Sequence, residues 1–245
     1  LKSFLVPLAI KYDRVIGPGQ GISRDKLYPY LINHAVKGPF QSSWHTYQGI
    51  CVEGLNLLGR PEKAEYIQPN AAKTPLKKIL IGTGATWPSK SFAKEKWLDL
   101  LQVVALDCSD VEIELLYGSE IERKFNQSLL DELNLDGLSL APKMSLGELR
   151  DYLHAVDLYI GNDSGPTYLA LSQGVSCMTF FGPSLPAYYQ HGQNHVYREK
   201  CQYGKTFHDR CPELRKCYPC SAIEDIDVVR VWKETLELVK GENES

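Results

Sequence analysis

The sequence predicts an α/β fold with a parallel sheet covered by helices on both faces. Three observations predict it. After residue 76, apolar strand signals and amphipathic helix signals alternate without a break. The unit around residues 158–181 reads as buried strand, small polar turn, short helix, Gly174 and a second apolar strand. A hydrophobic fraction of 43% over 245 residues is enough for a real core, in one large or two modest domains.

Taken in order, residues 12–16 can form a strand, followed by a Gly-rich turn at 17–21. The isolated Gly17, Gly19 and Gly21 lack the third-glycine spacing and the strong helix of a dinucleotide fingerprint, so the reading is an ordinary turn. A helix is expected over 45–59, stopped by Gly59 and Arg60-Pro61, with 71–75 as an interdomain linker. A strand at 77–82 feeds the loop 83–90, and 93–106 is an amphipathic helix. Residues 111–117 alternate as a half-buried strand ending at Gly118. A helix over 119–133, a strand at Leu138–Leu140 and a helix over 146–154 lead to the strand at 158–160. There the turn 161–165 opens a helix from Pro166 to Gln173. Asp163 or Ser164 can cap it, and Pro166 suits its first position. Gly174 ends it, and 175–181 is the next strand. With right-handed crossovers, the 163–165 turn lies at the carboxyl edge of the sheet, its N–H groups and the helix dipole turned toward an anion, the arrangement that binds phosphate.

Charge and hydropathy exclude other classes. A net charge of −3 gives no electrostatic case for nucleic acid as a partner. No apolar run has the length of a bilayer-spanning helix, and no signal peptide opens the chain. Leu1 is not an initiator Met, which suits a fragment or a processed form.

The turn Asp163-Ser164-Gly165, the helix with Tyr168, Gly174, the strand and Phe181-Gly182-Pro183-Ser184 together resemble glycosyltransferase family 9, the bacterial ADP-heptose:lipopolysaccharide heptosyltransferases. The family hallmark is Asp-(Thr/Ser)-Gly, a His three residues on, a small-residue helix, Gly, a strand and Phe/Tyr-Gly-Pro-(Thr/Ser). Upstream, Pro142-Lys143-Met144-Ser145-Leu146 with Glu148-Leu149 is similar to the family's Ser-Leu-x-Glu-Leu helix start. Ile79 to Gly82, the loop with Thr83, Thr86, Trp87 and Lys90, and then Trp97 resemble the first strand, loop and lysine of the same domain. The resemblance covers roughly residues 75–184. Tyr168 stands where most members have His.

The resemblance implies a GT-B type α/β fold with two Rossmann-like domains. Residues 1–74 would be the latter part of an N-terminal acceptor-side domain, so that this domain is incomplete. Residues 75–245 would be the C-terminal nucleotide-sugar-binding domain, with a Cys-rich loop at 201–220. It also implies an inverting transfer of heptose from ADP-heptose to a lipopolysaccharide core or lipid-linked glycan, with no cofactor required. The work would be cytoplasmic, at the inner face of the inner membrane and in peripheral contact with it. The base, a carboxylate, would lie in the N-terminal domain. Two other readings remain: a transferase for another nucleotide sugar, and a nucleotide-binding domain without catalysis.

The site residues follow from the same match. Asp163, Ser164 and Gly165 would face the diphosphate, the last two through backbone N–H groups; by itself, Asp163 reads as a helix cap. Lys90, otherwise a surface lysine, would supply a point charge against the growing charge of the leaving nucleoside diphosphate. Thr83 and Thr86 are lesser candidates for the same phosphates, and Trp87 and Trp97 read as packing residues. Met144 is core filler by position, and an adenine contact by resemblance. Glu120 or Glu122, just past a strand, would take the ribose hydroxyls. Tyr168 either replaces the family His as a donor or packs.

The seven cysteines divide into two groups. Cys51, Cys108 and Cys177 read as reduced core residues. Cys201, Cys211, Cys217 and Cys220 crowd one loop, where four thiolates can close a structural zinc or iron site. Disulfides would give the same spacing, though not in a cytosolic enzyme. His208 is a substitute ligand or a solvated loop residue.

Overall fold

The structure is a computed structural model that describes residues 75–183, 194–199 and 220–241, with the backbone of residues 16–18 and 34–36. The chain divides into two compact units, residues 1–66 with 187–189, and residues 67–186 with 190–245. In the first unit, β1 (Ile16–Pro18) pairs in parallel with β2 (His34–Val36). Gly17 and Pro18, expected in a turn, instead continue the strand, because their backbone is held by the β2 ladder. The remaining expectations before residue 75, including the 45–59 helix, most of the linker and Cys51, lie outside the described residues.

The second unit carries a six-stranded sheet, parallel throughout, in the order β5-β4-β3-β6-β7-β8. Its strands are β3 (Lys78–Gly82), β4 (Glu112–Leu116), β5 (Leu138–Leu140), β6 (Leu158–Asn162), β7 (Ser176–Phe180) and β8 (Asn194–Tyr197). The first of these in sequence, β3, is central. The chain builds outward through β4 and β5, then returns to lay β6 against the other side of β3. Connections leave the carboxyl ends of β3 and β6 in opposite directions, and the crevice between them is where ligands bind in open α/β sheets.

Alternation along the strands sorts side chains onto two faces. Ile79, Ile81, Ile113, Leu115, Leu158, Ile160, Met178 and Phe180 face α1 (Lys94–Asp107), α2 (Glu120–Leu133), α5 (Ser221–Glu224) and α6 (Val228–Gly241). Leu80, Tyr159 and Cys177 face α3 (Leu146–Tyr152) and α4 (Gly165–Ser172). Trp97, fully buried, stacks edge-on against Phe92 at 5.2 Å, so its packing role holds. Cys108 and Cys177 are buried as expected, and burial pushes the Cys177 thiol pKa upward.

Three differences from the sequence reading have physical reasons. The helix expected over 146–154 tightens after Tyr152 into a 3-10 turn at Leu153–Ala155, as the last turn of a helix often does. In β4 the alternation suggested that the glutamates face water, but Glu114 is buried. Lys78 on the neighbouring strand pairs with it at 3.0 Å, and the Tyr152 hydroxyl donates to it. Burial alone disfavours the Lys78 ammonium, but hydrogen bonds with Tyr152, Glu114 and Glu112 outweigh it and raise the Lys78 pKa. Lastly, β8, α5 and α6 had no counterpart in the sequence reading. Helix α6 buries Val231, Trp232 and Val239, and the Trp232 indole donates to Asp107 at the end of α1 at 3.0 Å.

Candidate functional site

The crevice between β3 and β6 is built on a pair of glycines. Gly82 and Gly161 are register partners, and the Tyr159 phenol lies against both: a Cβ at 82 would sit 2.0 Å from its hydroxyl, and one at 161 would sit 2.7 Å from its ring. Neither position can carry a side chain without displacing Tyr159.

Beyond β3 the chain forms a loop that ends in a 3-10 turn, Pro88–Lys90, with Lys90 N–H donating to Trp87 C=O at 3.0 Å. This turn is packed from behind by Gly182, where a Cβ would meet the Ser89 carbonyl oxygen at 2.2 Å. Arg198 Nε donates to the Gly182 carbonyl at 2.9 Å and holds that backbone in place. The Phe181-Gly182-Pro183 motif therefore seats the lysine. Lys90 Nζ forms an ion pair with the Asp163 carboxylate and lies 5.1 Å from the centroid of the Trp87 ring, a cation–π distance. Trp87, read as a packing residue, thus also contacts the charge. The other Asp163 oxygen accepts a hydrogen bond from the Tyr168 hydroxyl. The phenol that replaces the family His is a donor, and its acceptor is Asp163.

Neither expected cap of α4 acts as one. Ser164 occupies the N-cap position without a side-chain cap bond, its Oγ lying 3.4 Å from Thr167 Oγ1, and Asp163 is turned toward Lys90 and Tyr168. Capping boxes Ser119/Glu122 and Ser145/Glu148 close α2 and α3, and Asp227 accepts from Val229 and Arg230 N–H in α6, whereas the N-cap residues of α1 and α5, like that of α4, make no side-chain cap bond. The uncapped start of α4 keeps its positive dipole end for another anion. Gly165 is exposed there, and beyond its chain neighbours and its own helix backbone no atom of the described residues lies within 4 Å of where a Cβ would stand.

The remaining candidates are dispersed. Thr83 is buried and its hydroxyl donates to Asn126 Oδ1 at 2.6 Å, so it is committed within the protein, whereas Thr86 is exposed on the loop. Glu120 is exposed and pairs with Arg123, whose hydrogen bond lowers its pKa. Glu122 accepts from Gly118 and Ser119 N–H at 2.7 and 3.1 Å, and its other oxygen lies against Gly84, where a Cβ would come within 2.3 Å. Of the two acids, Glu122 borders the loop after β3. Met144 is half-buried and packs on the face of Tyr159 and Leu149. Cys220 is buried at the start of α5, while Cys201, Cys211, Cys217 and His208 lie outside the described residues. Among the described residues, no three His, Cys, Asp or Glu side chains are grouped to hold a metal.

Sequence reasoning passed over Asn126, Asn162, Gly182 as a spacer and Arg198. Asn162 and Gly182 adjoin or belong to the motif, and that adjacency was the available signal. Asn126 and Arg198 carry none.

The profile of glycosyltransferase family 9 (heptosyltransferase) matches residues 54–216, more than half of the sequence. The chain belongs to glycosyltransferase family 9. It is similar to lipopolysaccharide heptosyltransferase 1 of Campylobacter coli, 29% identical over 160 residues, which cover 64% of this chain and 46% of that one. The chain thus spans about half the length of this curated relative. Among solved structures it resembles E. coli ADP-heptose LPS heptosyltransferase II, with TM-score 0.66 and 17% identity over 100% of this chain and 75% of that one. It also resembles E. coli heptosyltransferase WaaC bound to ADP-2-deoxy-2-fluoro heptose, with TM-score 0.60 and 18% identity over 91% and 64% of the two chains. At such identities the likeness is one of fold, and the fold is the GT-B type α/β architecture of family 9.

Proposed function

We propose that this family 9 chain transfers heptose from ADP-heptose, with inversion, to a lipopolysaccharide core or related glycan. The observation that carries the reading is the convergence, at the β3/β6 crevice, of the Lys90 ammonium and the uncapped start of α4. As the glycosidic bond breaks, charge accumulates on the departing diphosphate, and fixed N–H dipoles and an ammonium stabilise it without reorganising. Asp163 keeps Lys90 in place until the diphosphate draws on the ammonium. Glu122, beside Gly84, is the acid nearer to the ribose. The carboxylate that deprotonates the acceptor hydroxyl belongs to the first unit.

The support includes the WaaC neighbour, whose structure contains an ADP-heptose analogue. On this reading the enzyme works in the cytoplasm, in peripheral contact with the inner membrane. Among the described residues, no helix is long and apolar enough to cross a membrane. A second reading, transfer of another sugar, is favoured by the fact that Lys90 and α4 address the diphosphate common to ADP- and UDP-linked sugars. A panel of ADP- and UDP-linked sugars separates the two by turnover. Cys201, Cys211, Cys217 and Cys220 are proposed as a structural zinc or iron site. Elemental analysis should then find about one equivalent per chain, and four titratable thiols without metal would refute it.

The decisive experiment is calorimetric titration of Lys90→Ala. Loss of a charge-assisted contact costs about 1.5–3 kcal/mol, roughly ten- to more than a hundredfold in ADP affinity. Adenosine, which lacks the diphosphate, should bind the variant and the parent alike. Unchanged ADP affinity would remove the diphosphate site from this crevice.

A further inference from the structure

We infer that Asn162 is a positioning residue that couples the two turns facing the diphosphate, an inference that rests on the reading of the crevice just given. Asn162 ends β6 and is fully buried. Its Nδ2 donates across the crevice to the Thr83 carbonyl at 2.9 Å, with the Gly84 carbonyl at 3.4 Å. Two carbonyls on one side fix the orientation of the amide, since the opposite flip would set oxygen against oxygen. Its own main-chain carbonyl accepts from Thr167 Oγ1, in the first turn of α4, at 2.5 Å. One residue therefore grips the turn after β3 with its side chain and the start of α4 with its backbone.

The gripped turn is anchored on its other side as well. Thr83 Oγ1 donates to Asn126 Oδ1 at 2.6 Å, and Asn126 Nδ2 donates to the Leu116 carbonyl, on β4, at 3.0 Å. Both asparagines are buried. Asn162 Oδ1, by contrast, is buried with no hydrogen-bond partner among the described residues. An unpaired buried acceptor disfavours folding, so what Nδ2 holds accounts for the amide. What it holds is the spacing between the lysine-bearing loop and the uncapped helix start. A diphosphate spans both, whereas a nucleoside needs neither.

The test uses Asn162→Leu and Asn162→Asp in the full chain, titrated with ADP and with adenosine. Asn162→Leu, uncharged and without a donor, should lose at least about tenfold in ADP affinity at every pH, with adenosine unchanged. Asn162→Asp should lose ADP affinity at pH 8, where its carboxylate faces two carbonyls. It should regain affinity relative to the parent as the pH falls, because the protonated carboxyl can donate to Thr83 C=O. ADP binding by Asn162→Leu equal to the parent's, or equal losses of ADP and adenosine, overturns the inference. If both variants fail to fold, Thr167→Val carries the test: it removes only the α4 end of the grip, and an ADP-selective loss supports the coupling while none overturns it. Failure of the diphosphate reading itself looks different: the parent then binds no ADP, or Lys90→Ala binds it as tightly as the parent. Amide exchange in the free protein then decides, and Asn162→Leu or, if that variant does not fold, Thr167→Val must speed exchange in both the 83–91 and the 164–168 segments for the coupling to stand.

Discussion

Gly165 and Gly182 flank the same lysine-bearing crevice, yet the space each leaves is used differently. At Gly182 the space is filled by the protein, because a Cβ would meet the Ser89 carbonyl at 2.2 Å. Gly182→Ala must push back the backbone that carries Lys90. It should destabilise the chain by about 1–3 kcal/mol, as overpacking does, and should weaken ADP more than adenosine. At Gly165 no atom of the described residues beyond its chain neighbours and its own helix backbone stands within 4 Å of a Cβ, so Gly165→Ala should leave the midpoint of denaturant unfolding where it is and still weaken ADP. Unfolding curves and titrations on the two variants check the contrast; equal stability for both would remove the spacer role of Gly182. The motif Phe181-Gly182-Pro183 was legible in the sequence, but its purpose was not, because the atoms it accommodates lie some ninety residues earlier in the chain. The same holds for Asp163. Its place in the motif was visible, whereas its partners, Lys90 and Tyr168, are set by strand order.

Helix starts explain why the elements of the second unit were readable while the site was only partly so. Ser119 with Glu122, and Ser145 with Glu148, are local signals, and both closed as capping boxes. Helices α5 and α6 follow a stretch of cysteines and prolines that drew the reading toward a loop, and the four-residue strand β8 lies just before it. The amphipathic pattern behind Val231, Trp232 and Val239 came after it. The α3 box also predicts an acid dependence. The backbone N–H of Ser145, then its side chain, hydrogen-bond Glu148 and hold its carboxyl below the usual carboxylate value. A carboxyl whose folded pKa is depressed contributes stability above its unfolded pKa and loses it as the pH falls through the folded one. Glu148→Gln should thus be less stable than the parent at neutral pH. The gap should close as acid protonates Glu148, below the ordinary carboxylate range. Ser145→Ala should cost about 1 kcal/mol or less, for an exposed cap. Urea unfolding at a series of pH values measures each, and a Gln variant that tracks the parent at all pH values would refute the role of the box.

For the molecule as a whole, strand order makes a site out of residues that the chain separates. Placing β3 between β4 and β6 sets the turn after residue 82 beside the turn after residue 162. A parallel sheet with a different order would keep every element and lose the crevice. The alternating pattern in the sequence implied parallel strands, but it could not rank them, because the apolar character of β3, β6 and β7 is the same for any buried position. If this order creates an anion site, ligand binding must stabilise the second unit by mass action. At a free concentration of 100 times Kd, ADP should add about 2.7 kcal/mol. For a unit of this size that is a rise in Tm of roughly 5–11 °C, at about 2–4 °C per kcal/mol. Lys90→Ala should shrink the rise at the same ADP concentration, since its Kd is larger, and adenosine at that concentration should give a smaller rise in both proteins. The measurement is a thermal scan followed on the Trp97 and Trp232 fluorescence, both buried in the second unit. An ADP-induced rise that survives Lys90→Ala undiminished would show that the nucleotide binds elsewhere on the chain.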